Sequence, residues 1–218
     1  MLNALSLPML EAFAGAVVAY AADATVRVIV VRGNGRAFCS GAELGEPLPT
    51  AGTVDVANRA VTALLNAPQP VVCAVDGPAA GVGCSIAMAG DLVVAAESAY
   101  FLLSFAALGL MPDGGATALT TLAVGPARAR RMALLGERVT AAEALAAGMA
   151  SEVVADGEFD DRVEEIAARL RAGPPRAHAE TKAAMNAVHA DLITAAMVRE
   201  RAGQERLLAS ADFAEGVA

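Results

Sequence analysis

The stretch VVCAVDGPAAGVGCSIAMAGD, Val71 to Asp91, sets the fold: five apolar residues, a break at Asp76-Gly77-Pro78, then a segment of small residues with helical potential. The apolar run has no polar alternation, which predicts a strand buried on both faces. Upstream, Val26 to Val31 (VRVIVV) is a second β-branched run, and it opens into the loop GNGRAFCSGAEL, Gly33 to Leu44. Both loops put glycine and small residues directly after a β-type run, an arrangement that leaves backbone N–H groups free to face a ligand. Together they read as an anion-stabilising pocket.

Outward from these loops, helix and strand alternate. Ser6 as N-cap with Pro8 in the first turn predicts a helix through Tyr20. Loop is expected over Gly33–Thr53, helix over Val54–Asn66 and again over Gly81–Ala89, a third buried run over Leu92–Ala95, and a short paired strand over Tyr100–Leu103. Met111-Pro112-Asp113-Gly114-Gly115 is a sharp turn opening a helix. The second half is helical in pattern, over Ala127–Leu135, Ala141–Ala147, Phe159–Arg171 and, with a break, Arg176–Leu208. Buried strands alternating with helices predict an α/β core with a helical C-terminal portion.

Composition narrows the function. The 218 residues are 56% hydrophobic with a formal charge of -8, which fits one globular domain and argues against a nucleic-acid or anionic-membrane surface. Cys39, Cys73 and Cys84 lack metal-ligand spacing and read as buried thiols of a reducing, cytoplasmic protein. His178 and His189 stand without a third ligand, so no metal site is expected and they read as surface or interface residues. The first residues have no cationic leader, and no run reaches the ~18 apolar residues of a membrane span. GVGCSI lacks the last glycine of a dinucleotide fingerprint, and GCSIA is not a nucleophile elbow.

Four motifs in order, GRAFCSGAEL, VDGPAAGVGCSIAMAGD, FAALGLMPDGGATALTTLAVG and TAAEALAAGMASEVV, resemble the enoyl-CoA hydratase/isomerase (crotonase) family from Asn3 to near Gly216. The resemblance implies a spiral of ββα units over residues 1–150, binding acyl-CoA, and a helical trimerisation region over 151–218. Homotrimers or dimers of trimers are expected. It also implies that a strand pair usual in the family before Asn3, and a tail usual beyond Gly216, are missing here. An enolate formed on the thioester would be held by two backbone N–H groups, those of Ala42 and of Val82 in Gly81-Val82-Gly83. Val82 departs from the glycine triplet by carrying a branched side chain. Ser40, Glu43, Leu44 and Phe105 are implied to contact the substrate, and coenzyme A arrives as part of it, with no separate cofactor.

The family's hydratases use two glutamates to deprotonate water, and ungapped counting puts Ser85 and Phe105 at those positions. Neither is a carboxylate. Asp113 remains, where dienoyl-CoA isomerases, ring-epoxide type isomerases and 4-chlorobenzoyl-CoA dehalogenase carry an aspartate. One carboxylate suffices to move a proton between two carbons, so double-bond isomerisation with Asp113 as base is the expected activity. Two other activities stay open, a non-catalytic acyl-CoA binder and a hydratase with atypical acid/base residues. Asp113, between Pro112 and two glycines, is equally readable as a helix cap. Ser85 reads as a hydrogen-bond donor or a packed hydroxyl, and Arg36 as a phosphate contact or a solvated loop residue.

Overall fold

The computed structural model describes residues 2–45 and 48–217; of the expected loop, Glu46 and Pro47 lie outside the described residues. Helix α1 (Leu7–Ala22) is capped by Ser6, whose hydroxyl accepts from the Met9 N–H, with Pro8 in the first turn. Strand β1 (Ile29–Arg32) starts three residues later than the β-branched run, because Val26 to Val28 approach the sheet before pairing begins. Helix α2 (Ala51–Asn66) starts earlier than expected. Thr50 and Thr53 exchange side-chain and backbone bonds there and close its first turn.

The decisive stretch becomes β2 (Val71–Val75), β3 (Pro78–Ala80) and α3 (Val82–Met88). Next come β4 (Leu92–Ala96), β5 (Tyr100–Leu102) and a 3-10 turn at Ser104–Leu108. Helix α4 (Ala116–Leu135) is bent at Gly125, whose φ of 76° and ψ of 163° break the helical path ahead of Pro126. Strand β6 (Val139–Thr140), α5 (Ala141–Ala147) and β7 (Glu152–Val154) follow, then α6 (Phe159–Ala172), α7 (Pro175–Ala187), α8 (Ala190–Leu207) and α9 (Ala211–Gly216).

Two sheets carry the core. One is fully parallel in the order β1-β2-β4-β7, and the other has the order β3-β5-β6, with β3 and β5 parallel and β6 antiparallel. Successive turns of chain therefore lay one strand in each sheet, β2 then β3, β4 then β5, which is the expected spiral of ββ turns with helices between them. All five residues of β2 are buried, as a parallel strand covered on both faces requires.

The ends of the decisive stretch are tied to each other. Asp91 N–H donates to the Val71 carbonyl at 2.9 Å, and the Asp91 carboxylate accepts from the Val71 N–H at 2.7 Å. Lys182 of α7, 8% exposed, reaches the same carboxylate at 2.8 Å and also donates to the Leu64 and Gln69 carbonyls. All three ammonium hydrogens thus have acceptors, so the buried charge is both paired and solvated by protein. Lys182→Ala leaves Asp91 with the Val71 N–H but without its cation, and takes a donor from the Leu64 and Gln69 carbonyls. It is expected to lower the unfolding free energy by about 3 kcal/mol in chemical denaturation. A loss below about 1 kcal/mol would class the pair with ordinary surface ion pairs.

Candidate active site

The loop after β1 and the start of α3 are joined by backbone. Cys39 N–H donates to the Pro78 carbonyl at 2.9 Å and the Ala80 N–H to the Cys39 carbonyl at 2.8 Å. The N-terminal segment braces the loop from the other side, with Leu5 N–H on the Gly41 carbonyl and Glu43 N–H on the Leu5 carbonyl. Asn3 adds side-chain bonds to the Asn34 and Ala37 carbonyls. Glycine is required where the two loops meet. A Cβ on Gly83 would stand 2.6 Å from the Cys39 Cβ, and Gly81 has φ 54° and ψ -129°, a region closed to side chains. A Cβ on Gly81 would lie 3.4 Å from the Gly41 Cα, so the residues following these two glycines, Ala42 and Val82, are neighbours across the junction.

Among the described residues neither the Ala42 nor the Val82 N–H donates to a protein acceptor, and both residues line one cavity of about 310 Å³. Val82 is the first residue of α3, where an N–H has no partner within its own helix. Its branched side chain is buried in the cavity wall and leaves that N–H free. Most of the remaining lining is apolar, including Leu10 of α1, Val54 and Ala57 of α2, and Leu110, with Ser40, Thr53, Ser104, Asp113 and Gln204 as its polar members. Of the other expected contacts, Ser40, Leu44 and Phe105 line the cavity, whereas Glu43 is exposed and outside the lining. Arg36 is likewise exposed and away from it.

Asp113 projects into this cavity and is 7% exposed. Burial pushes its carboxyl up to about 7, the Gln204 amide opposes the rise, and the charge of Glu200 adds to it. Oδ2 accepts from Gln204 Nε2 at 2.9 Å, while Oδ1 has no partner. Of the two readings of Asp113, the capping one falls. The start of α4 is capped by Glu200 of α8, which accepts from the Gly115 N–H at 2.7 Å, the Thr117 N–H at 2.8 Å and the Thr117 hydroxyl. Burial raises the Glu200 carboxyl above its ordinary value against the pull of those Thr117 and Gly115 donors. With the helix end served by Glu200, the Asp113 carboxylate is left facing the cavity.

Ser85, where the resemblance implies a glutamate, is wholly buried and donates to the Asp113 carbonyl at 2.7 Å. It anchors the turn that carries Asp113 to α3. A Cβ on Gly114 would fall 2.9 Å from that of Ser85, so the two elements meet with no room to spare. The cysteines are free and buried; burial pushes Cys39 to about 11 and Cys73 and Cys84 to about 12, which makes all three poor nucleophiles. His178 and His189 lie by a separate groove beside α7, away from this cavity.

Glu200 and Gln204, one turn apart on α8, and Leu208 just beyond it belong to the site or its support and were not read from the sequence. Their signal was weak but present: a carboxylate and an amide at i and i+4 within a segment whose Gly203 packs against the Met111 thioether. A polar pair facing a glycine contact is an inward-facing pair.

A family model described as "Enoyl-CoA hydratase/isomerase" matches residues 1–218. A probable enoyl-CoA hydratase of Rhodobacter capsulatus is 39% identical over 99% of this chain and 85% of its own length. The 1,2-epoxyphenylacetyl-CoA isomerase of Escherichia coli K12 is 37% identical over 89% of this chain and 78% of its own. The crystal structure of an enoyl-CoA hydratase from Mycobacterium avium subsp. paratuberculosis K-10 superposes with a TM-score of 0.95 at 47% identity, covering 99% of this chain and 85% of that one. Four ordered motifs, the two-sheet spiral and the paired N–H groups at one cavity therefore have a common origin, and the chain belongs to the enoyl-CoA hydratase/isomerase family.

Proposed function

We propose that this protein isomerises a double bond in an acyl-CoA thioester whose acyl group is apolar. The observation carrying this reading is that, among the described residues, Asp113 is the one titratable side chain on a mostly apolar cavity lined also by Ala42 and Val82, whose N–H groups have no protein acceptor. In the proposed reaction the thioester carbonyl accepts from both N–H groups. Asp113 takes a proton from carbon, the C–H electron pair moves through the conjugated system onto the carbonyl oxygen, and the double bond shifts. Asp113 then returns the proton to a different carbon. The donors gain strength as charge grows on the oxygen, so they stabilise the enolate more than the substrate. A carboxyl titrating at about 7 is matched to this task, since it both accepts and releases a proton near neutral pH. Isomerisation of a CoA thioester is the activity in the name of one relative, the 1,2-epoxyphenylacetyl-CoA isomerase, which supports isomerisation in general. Hydration in the family's usual manner is disfavoured by a buried Ser85 and by Phe105 at the two positions where carboxylates are implied. The reading needs no metal or redox cofactor, with coenzyme A carried by the substrate.

The test is a panel of 2-enoyl-, 3-enoyl- and dienoyl-CoA substrates followed by absorbance, with binding measured in parallel. Bond migration supports the proposal; water addition to a 2-enoyl-CoA, or binding without reaction, overturns it. Asp113→Asn is expected to lower kcat at least a hundredfold with little change in KM, and undiminished turnover would remove Asp113 as base. In the wild type, kcat/KM should rise with pH through a midpoint near 7, because only the ionised carboxylate of the free enzyme accepts a proton.

The same ionisation affects folding. The raised pKa adds stability that is complete below the ordinary value of 3.8 and is lost as pH rises through about 7, so Asp113→Asn should be the more stable protein at pH 8.

Val82 is at the first position of α3, where proline fits a helix; it removes the N–H and exchanges the isopropyl group for a ring of similar size. Val82→Pro is therefore expected to fold and to lose about 100- to 1000-fold in kcat. Retained activity would exclude this N–H as an oxyanion donor.

A further inference from the structure

Two buried oxygens on the cavity have no partner among the described residues, Asp113 Oδ1 and Gln204 Oε1. They belong to two side chains already joined through Gln204 Nε2 and Asp113 Oδ2. Buried acceptors without a donor are rare in folded proteins and call for a specific explanation. A carboxylic acid facing a primary amide supplies one, because it closes a ring with two bonds, N–H to one carboxyl oxygen and O–H from the other to the amide oxygen. A single proton on Oδ1 would satisfy both orphaned atoms.

We propose that Gln204 is the positioning residue of Asp113, an amide that serves both protonation states of the carboxyl. In the ionised state its N–H holds Oδ2 and fixes the direction in which the carboxylate faces the cavity. In the protonated state its carbonyl also accepts the Oδ1 hydrogen, so the acid form rests in a closed pair with no unsatisfied atom. The proton leaves Oδ1 for bulk solvent when Asp113 ionises, and the negative charge stays on the carboxylate. The inference rests on Asp113 acting as the base, and it adds the group that keeps that base aimed.

The surroundings fit this role. Among the described residues Glu200, on the same helix as Gln204, is the charged group that acts on Asp113. Thr53, Val54 and Ala57 of α2, Val82 of α3, and Phe105 and Leu108 of the 3-10 turn bring no charge to the cavity. Arg201 of α8 is engaged with Asp55 and Glu205 instead. Gln204 itself is only 2% exposed, so solvent does not compete for its amide.

The experiment uses Gln204→Glu and Gln204→Leu in the full chain. The Asp113 carboxyl is titrated by NMR with 13C-labelled aspartate, its signal assigned by Asp113→Asn, and kcat and KM are measured against pH in parallel. Gln204→Glu replaces the amide with a second acid at the same reach. It should move the Asp113 midpoint up by at least about one pH unit and move the kcat/KM profile with it, activity returning at alkaline pH. Gln204→Leu should lower kcat at least about tenfold at every pH with KM within about threefold, since the base is present but unaimed. An Asp113 titration in folded Gln204→Glu that overlays the wild type would overturn the proposal. If that variant does not fold, unchanged turnover and unchanged Asp113 titration in Gln204→Leu would overturn it. The NMR titration needs no substrate, so an Asp113→Asn protein with full activity would refute the base assignment while the coupling between residues 204 and 113 is still decided.

Discussion

The two short backbone bonds between Cys39 and the segment Pro78–Ala80 hold the site in register. They lock a loop from one turn of the spiral to the strand before α3, and they work only because Gly83 presents no side chain to Cys39. Small residues here permit backbone to meet backbone, which places Ala42 and Val82 on one cavity without the conformational cost of ordering long side chains. The proposed oxyanion site is thus a product of close packing between loops, and α3 contributes by beginning where its first N–H has no helical partner.

The charged groups divide the remaining work. A helix that starts at two consecutive left-handed glycines exposes its first N–H groups, and the nearest carboxylate in sequence, Asp113, would be drawn to them. Glu200 takes that place from α8. The helix end is satisfied by a residue with no other role in the cavity, and Asp113 is free to stay desolvated and weakly acidic. Two buried carboxylates in one region would be a liability if both sought the same donors. Here one has three donors and the other has one.

The sequence was legible where a residue's role depends on its neighbours in the chain. Val71–Val75 reads as buried strand because every residue is apolar, and Ser6 reads as a cap because its partner, Met9, is three residues away. Ala42 and Val82 were found through motif resemblance, and their geometry is local to two loops. Strand β3, Pro78–Ala80, escaped notice: three residues beginning with proline carry no periodic signal, and it forms only because β5 lies beside it. Gln204 and Glu200 were missed for the same physical reason on a larger scale. Their meaning depends on contacts 83 to 91 residues away, and on α8 alone they look like ordinary polar helix positions. The cap reading of Asp113 shows the complementary error, since local spacing suggested a role that a distant residue fills.

That same separation bears on how the protein is made. Ribosomes add roughly 5–20 residues each second, so on the order of ten seconds pass between synthesis of the Asp113 turn and the arrival of Gln204. During that interval the strands of the spiral can pair while the cavity lacks the wall that Gln204 and Leu208 later supply. The nascent chain therefore carries an open apolar trough and an uncapped helix before it carries a site. Docking of α8 closes the trough, caps α4 and brings Gln204 to Asp113 in one event, so the polar contacts of the cavity report on completed folding.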